Sequence, residues 1–255
     1  MVQSGPHIIR TEAVVLRAID YGETSRIVTL YTEERGRLAI MARGARAAKS
    51  RFGSTLDPMS YIQAVIYIKP ARDLQSLTEA SHVETFSRIR ESLPRIEVGL
   101  GALELTNALL HQDESNPEVF QLLVGVLRRL NGVEARTENL GNFFRIRLAS
   151  LMGYAPGFEK ERVEALDEQG GFLDLESGGI YAEGLDRNQR ARASRSALRA
   201  FSITARASLD TVVRMRLRQD VGRELNELVT AYMRYHFGDS YPVRAASVFA
   251  RMDAR

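Results

Sequence analysis

Residues 31–58 read YTEERGRLAIMARGARAAKSRFGSTLDP, two strand-like runs joined by a stretch with basic side chains and no acid between Glu34 and Asp57. Arg35, Arg37, Arg43, Arg46, Lys49 and Arg51 fall within 17 residues, with Phe52 beside the last. Arginine grips phosphate with a planar fork and lysine with a point charge, so a chain of phosphates is the natural counter-ion. A solvated charged surface is the ordinary reading of such a run. Two neighbours shift the balance toward nucleic acid, because Tyr31 and Phe52 are expected to stack on bases.

Working outward, TEAVVLRAI from Thr11, RIVTLYT from Arg26, GRLAIMAR from Gly36, YIQAVIYIK from Tyr61 and LQSLTEA from Leu74 are short, β-branched and partly alternating. Turn signals such as Asp20-Tyr21-Gly22 and Arg35-Gly36 separate them. Five such strands predict a small Greek-key barrel of the oligonucleotide-binding (OB) kind over residues 1–80. After Val83 the apolar period becomes helical, with an interruption at Pro94. Asn116-Pro117-Glu118 predicts a capped helix start, and Asn131-Gly132 its stop. A further helix is expected from about Leu140 to Met152, and a last one over about Val221–Phe237.

Composition narrows the class. The 255 residues are 44% hydrophobic and contain no cysteine, which removes disulfides, thiolate zinc sites and thiol nucleophiles. No apolar run has membrane-spanning length and no secretory leader is recognisable, so a cytoplasmic protein that does not enter membranes is expected. Net charge is +3 but segregated, with −7 in 156–186 and +8 in 187–255. Residues 154–186 are rich in acid and glycine and predict a small knob with a hairpin around FLDL. Arg187 to Arg223 then spreads ten arginines over a stretch read as helical.

Enzymatic patterns do not emerge. His7, His82, His111 and His236 lack metal-ligand spacing, the acid pairs Glu33-Glu34 and Asp113-Glu114 have no neighbouring base, and no Gly-Lys-Ser/Thr phosphate loop exists. A nuclease, which needs carboxylates grouped for magnesium, is the poorest of the three readings. The others are a DNA-binding protein and an adaptor whose basic surfaces hold acidic peptides.

The stretch VLRAIDYGETSRIVTLYTEERGRLAIMARGARAAKSRFGSTLDP resembles the N-terminal region of the bacterial RecO recombination mediators, notably in the YGE turn, Tyr31-Thr32 with Gly36, ARGAR and Lys49-Ser50. FFRIRLASLMGYAPGFE is similar to that family's helix ending in a GYxP turn. The resemblance implies an α+β chain: an OB barrel over 1–80, a helical domain over 81–240 with a zinc-ribbon-like insert at 154–186, and a tail from 241 to 255. It also implies DNA repair by recombination. Members bind single- and double-stranded DNA, anneal complementary strands, and act with RecR to place RecA on DNA coated by single-strand-binding protein, whose acidic tail they also bind. The DNA-contact role falls on Arg35, Arg37, Arg43, Arg46, Lys49 and Arg51, and the setting is the cytoplasm, at the nucleoid. The insert departs from the family, because the positions of its two Cys-x-x-Cys pairs hold Glu161, Glu164, Ala182 and Leu185. No metal or other cofactor is therefore expected, and the knob is expected to be either held by packing or loosely ordered.

Overall fold

The computed structural model describes residues 5–132, 136–183 and 189–242. Five strands come first: β1 (His7–Tyr21), β2 (Ser25–Thr32), β3 (Gly36–Ala42), β4 (Tyr61–Ile68) and β5 (Leu74–Glu84). They bond in the order β1-β2-β3-β5-β4 and close into a barrel, since the first part of the long β1 pairs with β4 and its second part with β2. A bulge between Val15 and Arg17 bends β1 so that it can serve both neighbours. Only the β3 to β5 pairing is parallel, and this is the expected oligonucleotide-binding topology.

Alternation decides what faces inward. Along β3, Leu38, Ile40 and Ala42 are buried and meet Val28 and Leu30 of β2, Ile62, Ala64 and Ile66 of β4, and Leu77 of β5. The connection from β3 to β4 contributes Phe52 and Leu56 to the same core, the latter from a single 3-10 turn, Gly53–Leu56. The end of the barrel is thereby plugged by its own loop.

Two helices follow, α1 (Leu93–Leu109) and α2 (Pro117–Gly132). Pro94 does not interrupt α1 as its sequence suggested; it stands in the first turn, where a missing N–H leaves no carbonyl unpaired. Asn116 caps α2 as expected, its side chain accepting from the Val119 N–H at 3.1 Å. The chain divides into two compact units, and the first takes in residues through Glu91 together with Leu103–Asn131. It thus extends past residue 80, because β5 runs to Glu84 and α2 lays Phe120 6.1 Å from the rings of both Tyr31 and Tyr61.

The second unit holds α3 (Thr137–Leu151), α4 (Lys160–Glu164), β6 (Gly171–Asp174), β7 (Ile180–Tyr181), β8 (Arg190–Ala193), α5 (Arg195–Arg206), α6 (Leu209–Arg214) and α7 (Gln219–Phe237). Helix α3 packs on α5, α6 and α7 through Leu140, Phe144, Phe201, Leu225 and Val229, all fully buried. The expected FLDL hairpin is a three-stranded sheet in the order β7-β6-β8, whose third strand comes from a stretch read as helix. This insert is held by packing. Phe158, Val163, Leu166, Leu173 and Ile180 are buried, and Arg162 and Arg190 lie 5.4 and 5.3 Å from the Tyr181 ring centre. Of the four positions aligned with zinc ligands, Glu161, Glu164 and Ala182 are exposed and Leu185 lies outside the described residues. The tail beyond residue 242 lies outside them too.

Candidate nucleic-acid interface

The basic stretch is not one loop. Strand β3 runs through it and separates Arg35 and Arg37, at the β2–β3 end, from Arg43, Arg46, Lys49 and Arg51 beyond its other end. Seven strand residues put about 20 Å between the two groups. The first group is engaged locally. Arg35 contacts the His7 ring nitrogen at 3.2 Å, and the Arg37 guanidinium donates to the backbone and side-chain oxygens of Asn107 at 2.5 and 3.3 Å. Arg37 also accepts from the Asp113 N–H through its carbonyl. Its work is to hold the α1–α2 connection against the barrel.

The second group sits on an anchored loop. Arg46 donates to the Gly22 and Glu23 carbonyls at 3.1 and 3.3 Å, pairs with Asp20 at 3.2 Å, and gives its backbone N–H to Thr24 at 2.8 Å. These contacts tie the β3–β4 loop to the β1–β2 turn. Phe52 fixes the loop from beneath, with its N–H on the Ser50 hydroxyl and its ring in the core. Arg43, Lys49 and Arg51 are left exposed, and none of them has an ion-pair partner among the described residues. Arg51 lies over the Phe52 ring at 5.0 Å, which directs it without neutralising it.

The expected stacking residues are not available to bases. Phe52 is 2% exposed and part of the barrel core, while Tyr31 is fully buried and donates to the Asn116 carbonyl at 3.2 Å. Burial pushes the Tyr31 hydroxyl up to about 12, with Glu114 adding to the effect. Exposed aromatic and apolar surface occurs elsewhere, on the outer side of β1 and β2. Beyond the bulge, Ile19 faces Ile27, which faces Met41 of β3, and Tyr21 faces Ser25. Ile19 is 46% and Tyr21 56% exposed. Arg17 stands in the same outer row, opposite Thr29. The signal was present in IDY before the turn glycine, where the strand continues past its core-facing residues, but the bulge that turns Ile19 and Tyr21 outward leaves no mark in the sequence.

In the second unit the basic stretch is largely occupied. Arg190 pairs with Asp174 at 3.4 Å, Arg206 lies 4.5 Å from the Phe158 ring centre, and Arg218 pairs with Asp220 at 2.9 Å. Helix α6 ends at Arg214, so Arg216 and Arg218 lie in an extended link, which explains an alternation no single helix could hold. Arg187 lies outside the described residues. Arg145 is fully buried, bonded to Asn142, Asn226 and Thr230. Among the described residues no three potential metal ligands group together, and no helix is long and apolar enough to cross a membrane.

Comparison with known proteins agrees with this architecture over both halves. A family model described as "Recombination protein O N terminal" matches residues 7–86, and one described as "Recombination protein O C terminal" matches 90–245. The DNA repair protein RecO of Salinibacter ruber is 50% identical over 246 residues, covering 96% of this chain and 95% of the relative. That of Anaeromyxobacter dehalogenans is 34% identical, covering 90% of this chain and 92% of its own length. The Chloroherpeton thalassium protein is 28% identical over 96% of this chain and 99% of its own.

Proposed function

Because the chain belongs to the RecO family of DNA repair proteins, we propose that it is a non-catalytic recombination mediator whose barrel binds single-stranded DNA on the outer side of β1–β3. Phosphates lie along Arg43, Arg46 and Lys49, and bases rest on Tyr21 and Ile19. The observation that carries this reading is the set of exposed, unpaired cations on a loop fastened down at Arg46, beside an exposed aromatic ring. An anchored loop loses little entropy when it binds, so its cations are ready for a polyanion. Binding of this kind is sequence-tolerant, because phosphate contacts and stacking dominate it.

Annealing follows from the same physics. Neutralised phosphates let two strands approach, while bases stacked on an open platform stay free on their pairing edges. Loading of RecA together with RecR on DNA coated by single-strand-binding protein, and a contact with that protein's acidic tail, complete the proposed role in the cytoplasm at the nucleoid.

The test is salt-dependent binding of a labelled oligothymidylate to the full chain. The double variant Arg43→Ala/Lys49→Ala should flatten the slope of log affinity against log salt by about 1.4, at roughly 0.7 per lost phosphate contact on a single strand. An unchanged slope removes the assignment.

A further inference from the structure

The loop that carries Arg43, Arg46 and Lys49 also reaches a second side of the barrel. Arg46 is tied to the β1–β2 turn, but Arg51, further along, lines a cleft of about 300 Å³ with Arg10 of β1, Gln63 and Val65 of β4, and Glu79 and Ser81 of β5. Pairing registers explain the convergence. Arg10 stands opposite Val65, and Val65 opposite Glu79, so these three form one row across β1, β4 and β5; Glu12, Gln63 and Ser81 form the next, with the Glu12 carboxylate engaged by the Tyr61 hydroxyl. The row on the other flank pairs Ile8, 65% exposed, with Tyr67, whose ring has Lys69 at 5.3 Å.

This face has ingredients of the first, the exposed Ile8 and the half-buried Tyr67 ring, with Lys69, Arg10 and Arg51 beside them. Arg10 and Arg51 have no carboxylate at ion-pair distance among the described residues, although Glu79 lies in the same cleft. With two guanidiniums against one carboxylate the cleft keeps a net positive charge, which a phosphate between Arg10 and Arg51 would neutralise through charge-assisted hydrogen bonds. Glu79 decides between anions. It repels a peptide made of carboxylates, whereas a DNA strand offers exocyclic amino donors as well as phosphates, and those donors suit Glu79, Gln63 and Ser81.

We infer that the outer face of β1, β4 and β5 is a second single-strand site, so that one chain holds two DNA strands at once, one on each side of the loop 43–60. This rests on the DNA-binding reading above and gives it a mechanism, because annealing becomes an encounter of two strands tethered to one barrel at high effective concentration.

Native mass spectrometry of the full chain with an oligodeoxycytidylate of about eight nucleotides, whose bases carry the exocyclic amino donors and whose length is within the site size of one such barrel, tests it directly. Wild type should take up two oligonucleotides, Arg10→Ala/Arg51→Ala only one, and Arg43→Ala/Lys49→Ala only one. The Arg10→Ala/Arg51→Ala variant should also anneal complementary strands about ten-fold more slowly while its affinity for the first strand stays within about two-fold, as loss of a tethered partner requires. A wild type that never takes a second strand, or an Arg10→Ala/Arg51→Ala variant that still does, overturns the inference. It is overturned as well if only one strand ever binds while a polyglutamate peptide binds wild type and is lost in that variant. No oligonucleotide bound under any condition would instead remove the DNA-binding reading itself, and the inference with it.

Discussion

Tyr21 and Phe52 exchange the roles their sequence contexts suggest, and the exchange is instructive at the scale of single residues. Phe52 follows a run of cations and so looks like a stacking partner, but the loop that joins β3 to β4 packs its large apolar side chains, Phe52 and Leu56, into the barrel core. Tyr21 precedes a turn glycine and looks like punctuation, yet β1 continues to it and leaves it 56% exposed. The two substitutions should therefore separate cleanly. Phe52→Ala should lower stability by about 3–5 kcal/mol through the cavity it leaves, measured by urea unfolding. Tyr21→Ala should leave the unfolding midpoint in place and weaken oligonucleotide binding by about 1–3 kcal/mol, the range of one lost base stack. If Tyr21→Ala binds as wild type does, the outer face of β1 and β2 is not the platform. Arg37 teaches the same lesson: as charge it reads like its neighbours, and only the partner Asn107, far along the chain, shows it to be a tether.

Elements were more legible than the distances between them. All five strands could be read from alternation and turn residues, and so could the helix start at Asn116 and the final helix, because those signals are local. Strand β8 was hidden, since RARA between a glycine-rich knob and a helix has no apolar alternation and pairs only because β6 supplies an edge. The tight β2–β3 turn shows how a local signal can carry a tertiary requirement. Gly36 has φ +63, and a Cβ there would lie 1.9 Å from the Glu114 carbonyl oxygen, where the connection between α1 and α2 crosses the turn. Gly22, in the β1–β2 turn, has φ +59 with nothing within 4 Å of a Cβ. Both alanine variants incur left-handed strain of about 1–2 kcal/mol, but only Gly36→Ala must also displace backbone, adding about 1–3 kcal/mol. Thermal unfolding should thus show Gly36→Ala clearly less stable than Gly22→Ala. Equal midpoints would mean that the crossing of the turn is loose.

For the molecule as a whole, proton linkage sets the range of pH over which both units hold together. Tyr31 and Tyr61 in the first unit and Tyr232 in the second have hydroxyls pushed up to about 12, in each case chiefly by burial, and in Tyr61 also by its hydrogen bond to Glu12. Each donates a proton that a phenolate no longer has: Tyr31 to the Asn116 carbonyl, Tyr61 to Glu12, Tyr232 to the Tyr154 carbonyl. A folded value above the unfolded one means stability that is complete below about pH 10 and is lost as pH rises from there through about 12. At the other end, burial holds His236 below the usual imidazole range, partly offset by the Leu175 backbone and by Glu176, amid the rings of Tyr154, Tyr232 and Tyr235. A folded value that is depressed contributes stability present above the unfolded value of about 6.5 and lost as pH falls below it. Urea midpoints should accordingly form a plateau between about pH 7 and pH 10 and decline on both sides. His236→Phe, which fills the same aromatic pocket without a titrating ring, should extend that plateau toward acid, while the alkaline decline should coincide with a cooperative rise in phenolate absorbance. Phenolate signal with a single midpoint near pH 10 for every tyrosine and the circular dichroism unchanged would show that these three rings are open to water, and with them the contacts that seat α2 on the barrel and Tyr154 on α7.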